Sequence, residues 1–189
     1  LAGCHVMVEK PAGVYTKQVK EMNEVAAKSD KLFAMMFNQR TNCVYRKMRE
    51  MIQSGKYGQI KRTNWIITNW YRPQIYYDSG AWRATWAGEG GGVLLNQCPH
   101  QLDLWQWICG MPVCVTGYCD IAKYHNIEVE DDATIFVRYA NGATGTFITS
   151  TGEYPGTNRL EISGELGKLV LENGILKHWK LKTSEREVC

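Results

Sequence analysis

A chain of 189 residues with 44% hydrophobic side chains carries enough apolar material for one good core, or for one domain and part of another, and is unsuited to disorder. Its 22 basic and 19 acidic side chains are interleaved and leave a net charge of +3, which argues against a nucleic-acid surface. No apolar run approaches the roughly 20 residues of a membrane span. Leu1 to Val8 lacks the basic stretch of a signal peptide, so a cytoplasmic location is expected. Seven cysteines (Cys4, Cys43, Cys98, Cys109, Cys114, Cys119 and Cys189), an odd number with no C-x-x-C, point to reduced thiols rather than a zinc site or a disulfide framework.

The opening reads as strand, turn, helix, strand. Cys4 to Val8 is short and β-branched, Pro11-Ala12-Gly13 breaks it, and Thr16 serves as N-cap of an amphipathic helix reaching Ala27. Lys31 to Phe37 then reads as a buried strand. A β-α-β unit belongs to a parallel sheet, and two strands cannot make one with both faces covered, so more of that sheet is expected ahead of Leu1.

From Arg40 the pattern changes. Val44, Met48, Met51 and Ile52 mark one face of a helix that stops at Ser54-Gly55. Ile60 to Tyr71 is a long aromatic and β-branched strand. The glycine run from Gly88 to Gly92 leads into a second helix reaching Cys109, closed by Gly110-Met111-Pro112. Strands follow at Val113 to Tyr124, Ala133 to Tyr139, Thr144 to Thr151, Arg159 to Gly164, Lys168 to Leu171 and Ile175 to Trp179. Asn141-Gly142 and Asn173-Gly174 are hairpin signals. The expected fold is α+β: a large, open, mostly antiparallel sheet with helices on one face, preceded by a β-α-β segment. The division falls at residues 1–39 and 40–189, the second part expected to continue beyond Cys189. Cys114 and Cys119, an odd offset apart, fall on opposite faces of their strand.

Two clusters carry candidate chemistry. Glu9-Lys10-Pro11 follows a strand of what reads as a parallel sheet, at the end where such sheets place ligands. Lys10 there can hydrogen-bond a substrate hydroxyl or pass protons; the same residues also suit a surface ion pair before a turn, and a cis Lys10-Pro11 peptide is admissible. The second cluster runs from Asn96 to Asp103. Pro99 suits a first helical turn, and the spacing of Asn96, His100 and Asp103 lets all three share one helix face. Such an arrangement holds an imidazole in one tautomer, and the helix N-terminus favours its neutral form, as a general base requires. A capping Asn96 with a core His100 is the plainer alternative. The remaining histidines, His5, His125 and His178, are scattered, and no metal site is expected. Asn38-Gln39-Arg40 lines the same strand-end crevice or enters the following helix. Trp82-Arg83, with Tyr76, Tyr77 and Trp86, suits stacking on a sugar or nicotinamide ring, or simple packing.

Taken in order, Glu9-Lys10-Pro11, Asn38-Gln39-Arg40, Gly90-Gly91-Gly92 before His100 and Asp103, and Val129-Glu130-Asp131-Asp132 before Asn141-Gly142 resemble the glucose-fructose oxidoreductase/inositol dehydrogenase/MocA (Gfo/Idh/MocA) family over essentially the whole chain. The resemblance implies an NAD- or NADP-dependent oxidoreductase of a secondary alcohol on a sugar, cyclitol or related compound. Residues 1–39 would then be the end of a Rossmann domain, and residues 40–189 the substrate-binding, catalytic and oligomerisation domain. By the same resemblance Lys10, His100 and Asn96 are catalytic, with Lys10 contacting nicotinamide ribose and substrate and His100 exchanging the hydroxyl proton. Asp103, Arg40, Trp82 and Arg83 adjoin the substrate, and Glu9, Lys10, Pro11 and Asn38 adjoin the cofactor.

The chain departs from the family at Asn96, where aspartate is frequent, and at Cys98, where glycine is frequent and a larger side chain narrows the pocket. Asparagine orients a hydroxyl but neither takes its proton nor supplies charge. An NAD-dependent glycosidase of the same family and a non-catalytic ligand sensor are the alternatives. Expected partners are a small sugar or polyol and further copies of the chain, docked through a sheet face rich in Trp and Val, with no nucleic acid or membrane. No G-x-G-x-x-G occurs in the chain, so alone it is expected to bind NAD(P) negligibly and to be inactive.

Overall fold

The structure is a computed structural model that describes residues 3–188; Leu1, Ala2 and Cys189, including the seventh thiol counted above, lie outside the described residues. Strand β1 (Val6–Val8), helix α1 (Thr16–Ala27) and strand β2 (Phe33–Met35) form the opening unit, and β1 pairs with β2 in parallel, as a β-α-β crossover requires. Thr16 is the first helical residue and Tyr15 takes the cap position, its backbone N–H donating to the Gln18 side chain at 3.1 Å. Strand β2 is shorter than expected and is not buried. Among the described residues β1 is its sole strand neighbour, which leaves it an open edge, and Leu32 beside it is 73% exposed.

A 3-10 turn (Asn38–Thr41) leads to helix α2 (Cys43–Gln53), capped by Asn42, whose side chain accepts from Val44 N–H at 2.9 Å. Gly55, just past its end, takes a φ of +71°. There follow β3 (Ile60–Ile67), the short helix α3 (Gln74–Asp78), a π-helical turn (Val93–Gln97) and α4 (Pro99–Cys109), with Pro99 in its first turn. The remaining elements are β4 (Cys114–Ile121), β5 (Glu130–Arg138), β6 (Thr144–Ser150), β7 (Asn158–Gly164), β8 (Gly167–Glu172), β9 (Ile175–Lys180) and α5 (Glu185–Val188). None of the described helices is long and apolar enough to cross a membrane.

The last six strands and β3 make one seven-stranded sheet in the order β4-β5-β6-β3-β7-β8-β9. Every neighbouring pair is antiparallel except β3 with β6. The mostly antiparallel α+β arrangement is the expected one; the insertion of β3 between β6 and β7 is not a hairpin connection and has no local signal. Strand β3 stops at Ile67, short of the expected Tyr71, because its partners end there: Ile67 faces Thr149 on one side and Asn158 on the other.

Alternation along these strands puts Trp65, Phe147, Leu160, Ile162 and Leu169 on the inner face, where α2 and α4 cover them. Trp65 and Phe147 meet edge to face with ring centroids 6.0 Å apart, and Trp105 of α4 lies over Gly145 and donates its indole N–H to Thr63 at 2.9 Å. The outer face differs from the expected Trp- and Val-rich surface. Strand register gives it Tyr118, Phe136, Ile148 and Trp179 among threonines and an Arg159, Glu161, Lys168 ion-pair cluster, while Trp65 and Trp105 are in the core. Cys114 and Cys119 do lie on opposite faces, one on the side of Arg138 and the other on that of Ala133. Cys43, Cys98, Cys109, Cys114 and Cys119 carry free thiols.

Candidate functional site

Leaving the carboxyl end of β1, the chain turns at a cis Lys10-Pro11 peptide, and the Lys10 ammonium reaches the turn before α4 to donate to the backbone carbonyl of Asn96 at 2.7 Å. Lys10 lines two adjoining clefts. The larger, about 690 Å³, is walled mainly by apolar groups, among them Val14, Val19, Met35, Leu94 and Leu95. The smaller, about 320 Å³, is bounded by Lys10, Trp82, Arg83, Glu89, Leu95 and Asn96.

Asn96 owes its place to the glycine run. Gly90 takes a φ of +74° against the Val14 backbone, and Gly92 lies on the backbone of Glu130. From β5 the Glu130 carboxylate accepts the N–H groups of Gly92 at 2.9 Å and Leu94 at 3.1 Å, satisfying donors at the start of the π-helical turn. An alanine Cβ at position 92 would sit 1.8 Å from the Glu130 carbonyl oxygen. Gly92→Ala is therefore expected to cost about 1–3 kcal/mol in a urea unfolding experiment, as overpacking does, whereas a variant as stable as the parent would show that this crossing yields freely.

The Asn96 amide donates to the Glu89 carboxylate, whose other oxygen accepts the Ala84 N–H at 2.6 Å. Arg83 is held between the rings of Trp82, 4.5 Å away, and Tyr76, 4.6 Å away, and donates to the Tyr76 hydroxyl at 3.0 Å.

His100 is the second residue of α4 and meets Phe37 edge-on at 6.1 Å. Its Nδ1 is buried without a hydrogen-bond partner. Burial, and then the charge of Lys10, push the imidazole pKa below its ordinary 6.5, against weaker opposite pulls from Glu9 and Asp103. Burial and Lys10, rather than the helix N-terminus that the sequence suggested, thus favour the neutral imidazole, and among the described residues no hydrogen bond selects its tautomer. Beneath the turn, the Cys98 thiol shares a 3.0 Å hydrogen bond with Thr149, and burial pushes its pKa up to about 12, which makes it packing rather than a nucleophile.

The expected single helix face does not form. Asn96 is in the π-helical turn and α4 restarts at Pro99, so the 3.6-residue period is broken between Asn96 and His100. Asp103 turns away to Arg40, which it holds through two hydrogen bonds of 2.7 and 2.5 Å while itself 3% exposed. The structure thus brings Lys10, Pro11, Trp82, Arg83 and Asn96 around the smaller cleft, leaves His100 outside the lining of both clefts though within the influence of the Lys10 charge, and pairs Arg40 with Asp103 outside both clefts as well. Glu9 is exposed. Asn38 lines neither cleft, and its carbonyl accepts from the Thr41 hydroxyl. Sequence reasoning missed Glu89, which stood only as part of the glycine run, and Glu130, which entered only within the Val129–Asp132 motif with no role of its own; for Glu89, an acid isolated among glycines was the available signal.

A family model described as the GFO/IDH/MocA C-terminal domain matches residues 45–170. The chain is 28% identical over 172 residues to a 1-carboxy-3-chloro-3,4-dihydroxycyclohexa-1,5-diene dehydrogenase of Comamonas testosteroni, covering 89% of this chain and 41% of the relative. It is 24% identical over 177 residues to a myo-inositol 2-dehydrogenase of Thermotoga maritima, covering 89% and 49%. Among solved structures, the WlbA dehydrogenase of Chromobacterium violaceum, in complex with NADH and UDP-GlcNAcA, superposes with a TM-score of 0.88 at 32% identity, covering 97% of this chain and 54% of that one. The chain thus spans about half the length of the proteins it matches.

Proposed function

Because this chain belongs to the GFO/IDH/MocA family, we propose that it is the substrate-binding and proton-handling part of a nicotinamide-dependent dehydrogenase acting on a secondary alcohol of a sugar, cyclitol or related compound. The observation that carries this reading is the meeting of Lys10, from the end of a parallel strand, with Asn96, from the turn before α4, at one cleft whose neighbouring imidazole is kept neutral. On this reading residues 1–39 belong to a dinucleotide-binding domain and residues 40–189 to the substrate domain.

The larger cleft suits the nicotinamide end of NAD or NADP: its apolar walls match a flat ring, and the Lys10 ammonium at its edge matches a ribose hydroxyl. When bound, the nicotinamide supplies the two-electron acceptor or donor. Lys10 donates to the substrate hydroxyl and keeps its oxygen oriented, Asn96 accepts from a neighbouring hydroxyl, and Trp82 and Arg83 form a stacking wall. The neutral His100 takes the hydroxyl proton, with the nearby Lys10 charge opposing its premature protonation. Arg40 and Asp103 act as a brace between the 3-10 turn and α4, holding that helix start against the opening unit. A homo-oligomer through the outer sheet face, where Tyr118 and Trp179 are exposed, is in keeping with this reading.

The test is a panel of sugars, polyols and cyclitols offered with NAD and with NADP to the protein carrying its complete dinucleotide-binding domain, followed by the near-ultraviolet absorbance of reduced nicotinamide. Reduction with a subset of secondary alcohols is expected. Absence of reduction across the panel, with the cofactor demonstrably bound, would overturn the reading.

A further inference from the structure

We propose that Glu89 supplies the carboxylate that Asn96 lacks, and that it selects substrates presenting two adjacent hydroxyl groups; this rests on the dehydrogenase reading above. Glu89 is the one carboxylate among the residues lining the smaller cleft, where the Lys10 and Arg83 cations stand with it. Residue 89 is anchored on both sides. A side chain at Gly88 would fall 2.2 Å from the Trp82 carbonyl oxygen, and one at Gly90 would fall 2.5 Å from that of Val14, so backbone packs against backbone at each flank. The carboxylate is anchored as well, through the Ala84 N–H at 2.6 Å, in the loop that carries Trp82 and Arg83.

Two consequences follow from donor and acceptor chemistry. A carboxylate only accepts, so it fixes the Asn96 amide with Nδ2 toward Glu89 and leaves Oδ1, which accepts no hydrogen bond among the described residues, as an acceptor. The carboxylate itself has about four lone-pair directions, of which the Ala84 and Asn96 donors use two. The pair therefore offers acceptors on adjacent atoms beside the Lys10 donor. A single alcohol can engage Lys10 and one acceptor. A vicinal diol engages Lys10 through the reacting oxygen and gives the hydrogen of its second hydroxyl to Glu89. Charge-assisted bonds of this kind are the stronger class, so losing one is felt mainly by the ligand that makes it.

The experiment compares the wild-type protein, with its complete dinucleotide-binding domain, with Glu89→Gln. The probes are D-glucose and myo-inositol, each set against its monodeoxy analogues lacking one hydroxyl beside the oxidised position. Glu89→Gln is expected to raise KM for the parent compound about ten-fold or more with kcat changed much less, and to leave kcat/KM within about two-fold for the one deoxy analogue that lacks the hydroxyl Glu89 receives, while the analogue lacking the other neighbouring hydroxyl loses as the parent does. Equal losses on the parent and on both deoxy analogues, or no loss on any, would overturn the role of Glu89. The charge requirement is checked by Glu89→Gln/Asn96→Asp, which moves the carboxylate to the neighbouring side chain and is expected to recover most of the diol preference; failure to recover it is contrary evidence. If Glu89→Gln does not fold, Glu89→Asp decides: the charge is kept but withdrawn by one methylene, which is expected to weaken the parent compound selectively, and an unchanged preference overturns the proposal. A wild-type protein that oxidises none of the probes or panel compounds brings down the dehydrogenase reading, and this inference with it. Turnover without the predicted discrimination brings down the inference alone.

Discussion

Replacing His100 by alanine is expected to lower turnover by about two to four orders of magnitude, the range a positioned acid-base group supplies, while moving the melting temperature little. The small structural cost follows from its surroundings: among the described residues Nδ1 has no hydrogen bond to lose, and the ring meets Phe37 edge-on. The chemistry also fixes the pH profile. In the direction of alcohol oxidation the imidazole must be neutral, and burial together with Lys10 holds its pKa below 6.5 in the folded protein. The acid limb of kcat/KM is therefore expected below 6.5, with activity retained above it and lost as the pH falls through the depressed value. Linkage runs in the same sense. Between the folded and unfolded pKa values the unfolded state binds more protons, so stability contributed by the neutral ring is present above 6.5 and lost as pH falls through the folded value. Steady-state rates of His100→Ala and the wild type across the acid range check both points: the variant should be slow and should lack that limb. An unchanged rate would remove His100 from the proton path.

The largest effect on stability is expected at Asp131, far from any motif singled out for catalysis. Its carboxylate is fully buried and accepts the N–H groups of Lys123 at 3.0 Å, Tyr124 at 2.9 Å and His125 at 3.1 Å. The His125 ring approaches it through Nδ1 at 2.8 Å and reaches the Arg72 carbonyl through Nε2 at 2.7 Å. Asp131→Ala leaves those buried donors without an acceptor, at a cost of about 3–5 kcal/mol. For a chain of this size that lowers the melting temperature by on the order of 10 °C. Asp131→Asn keeps one accepting oxygen and should fall between alanine and wild type. The effect should also reach the site, because the Tyr77 ring lies tilted against His125 at 4.9 Å and meets Tyr76 edge to face at 5.1 Å, and Tyr76 holds Arg83. A melt of Asp131→Ala within a degree or two of wild type would show that water replaces the carboxylate at no cost.

The readable parts of this molecule are those whose cause is local. Asn173-Gly174 makes a tight hairpin because both residues accept a positive φ, +51° and +75°, and Asn141-Gly142 makes one with Gly142 at +85°. Helix α2 announces itself by its apolar spacing and the Ser54-Gly55 stop, and α4 by Pro99 in a first turn. Lys10 was legible as a candidate because the end of a parallel strand is a privileged position whatever lies opposite. What lies opposite was not legible. The partner of Lys10 is a backbone carbonyl, Asn96 presents an amide to an acid seven residues back, and Asp103 answers Arg40 across 63 positions. A periodicity argument carried from Asn96 to Asp103 fails because one π-helical turn shifts the phase, and nothing in the composition of Val93–Gln97 reports that shift.

The insertion of β3 between two strands that follow one another in sequence turns folding into a competition. Strands β6 and β7 are separated only by residues 151–157 and could close on each other quickly as an ordinary hairpin, whereas their native neighbour must come from far upstream, Asn64 meeting Thr146 across 82 positions. Closing that long loop is the slower entropic step. Productive folding needs the slot between β6 and β7 to stay open until Trp65 is seated between Phe147 and Leu160. The refolding rate is thus tied to the affinity of one aromatic strand for its gap rather than to the hairpins that make up most of the sheet.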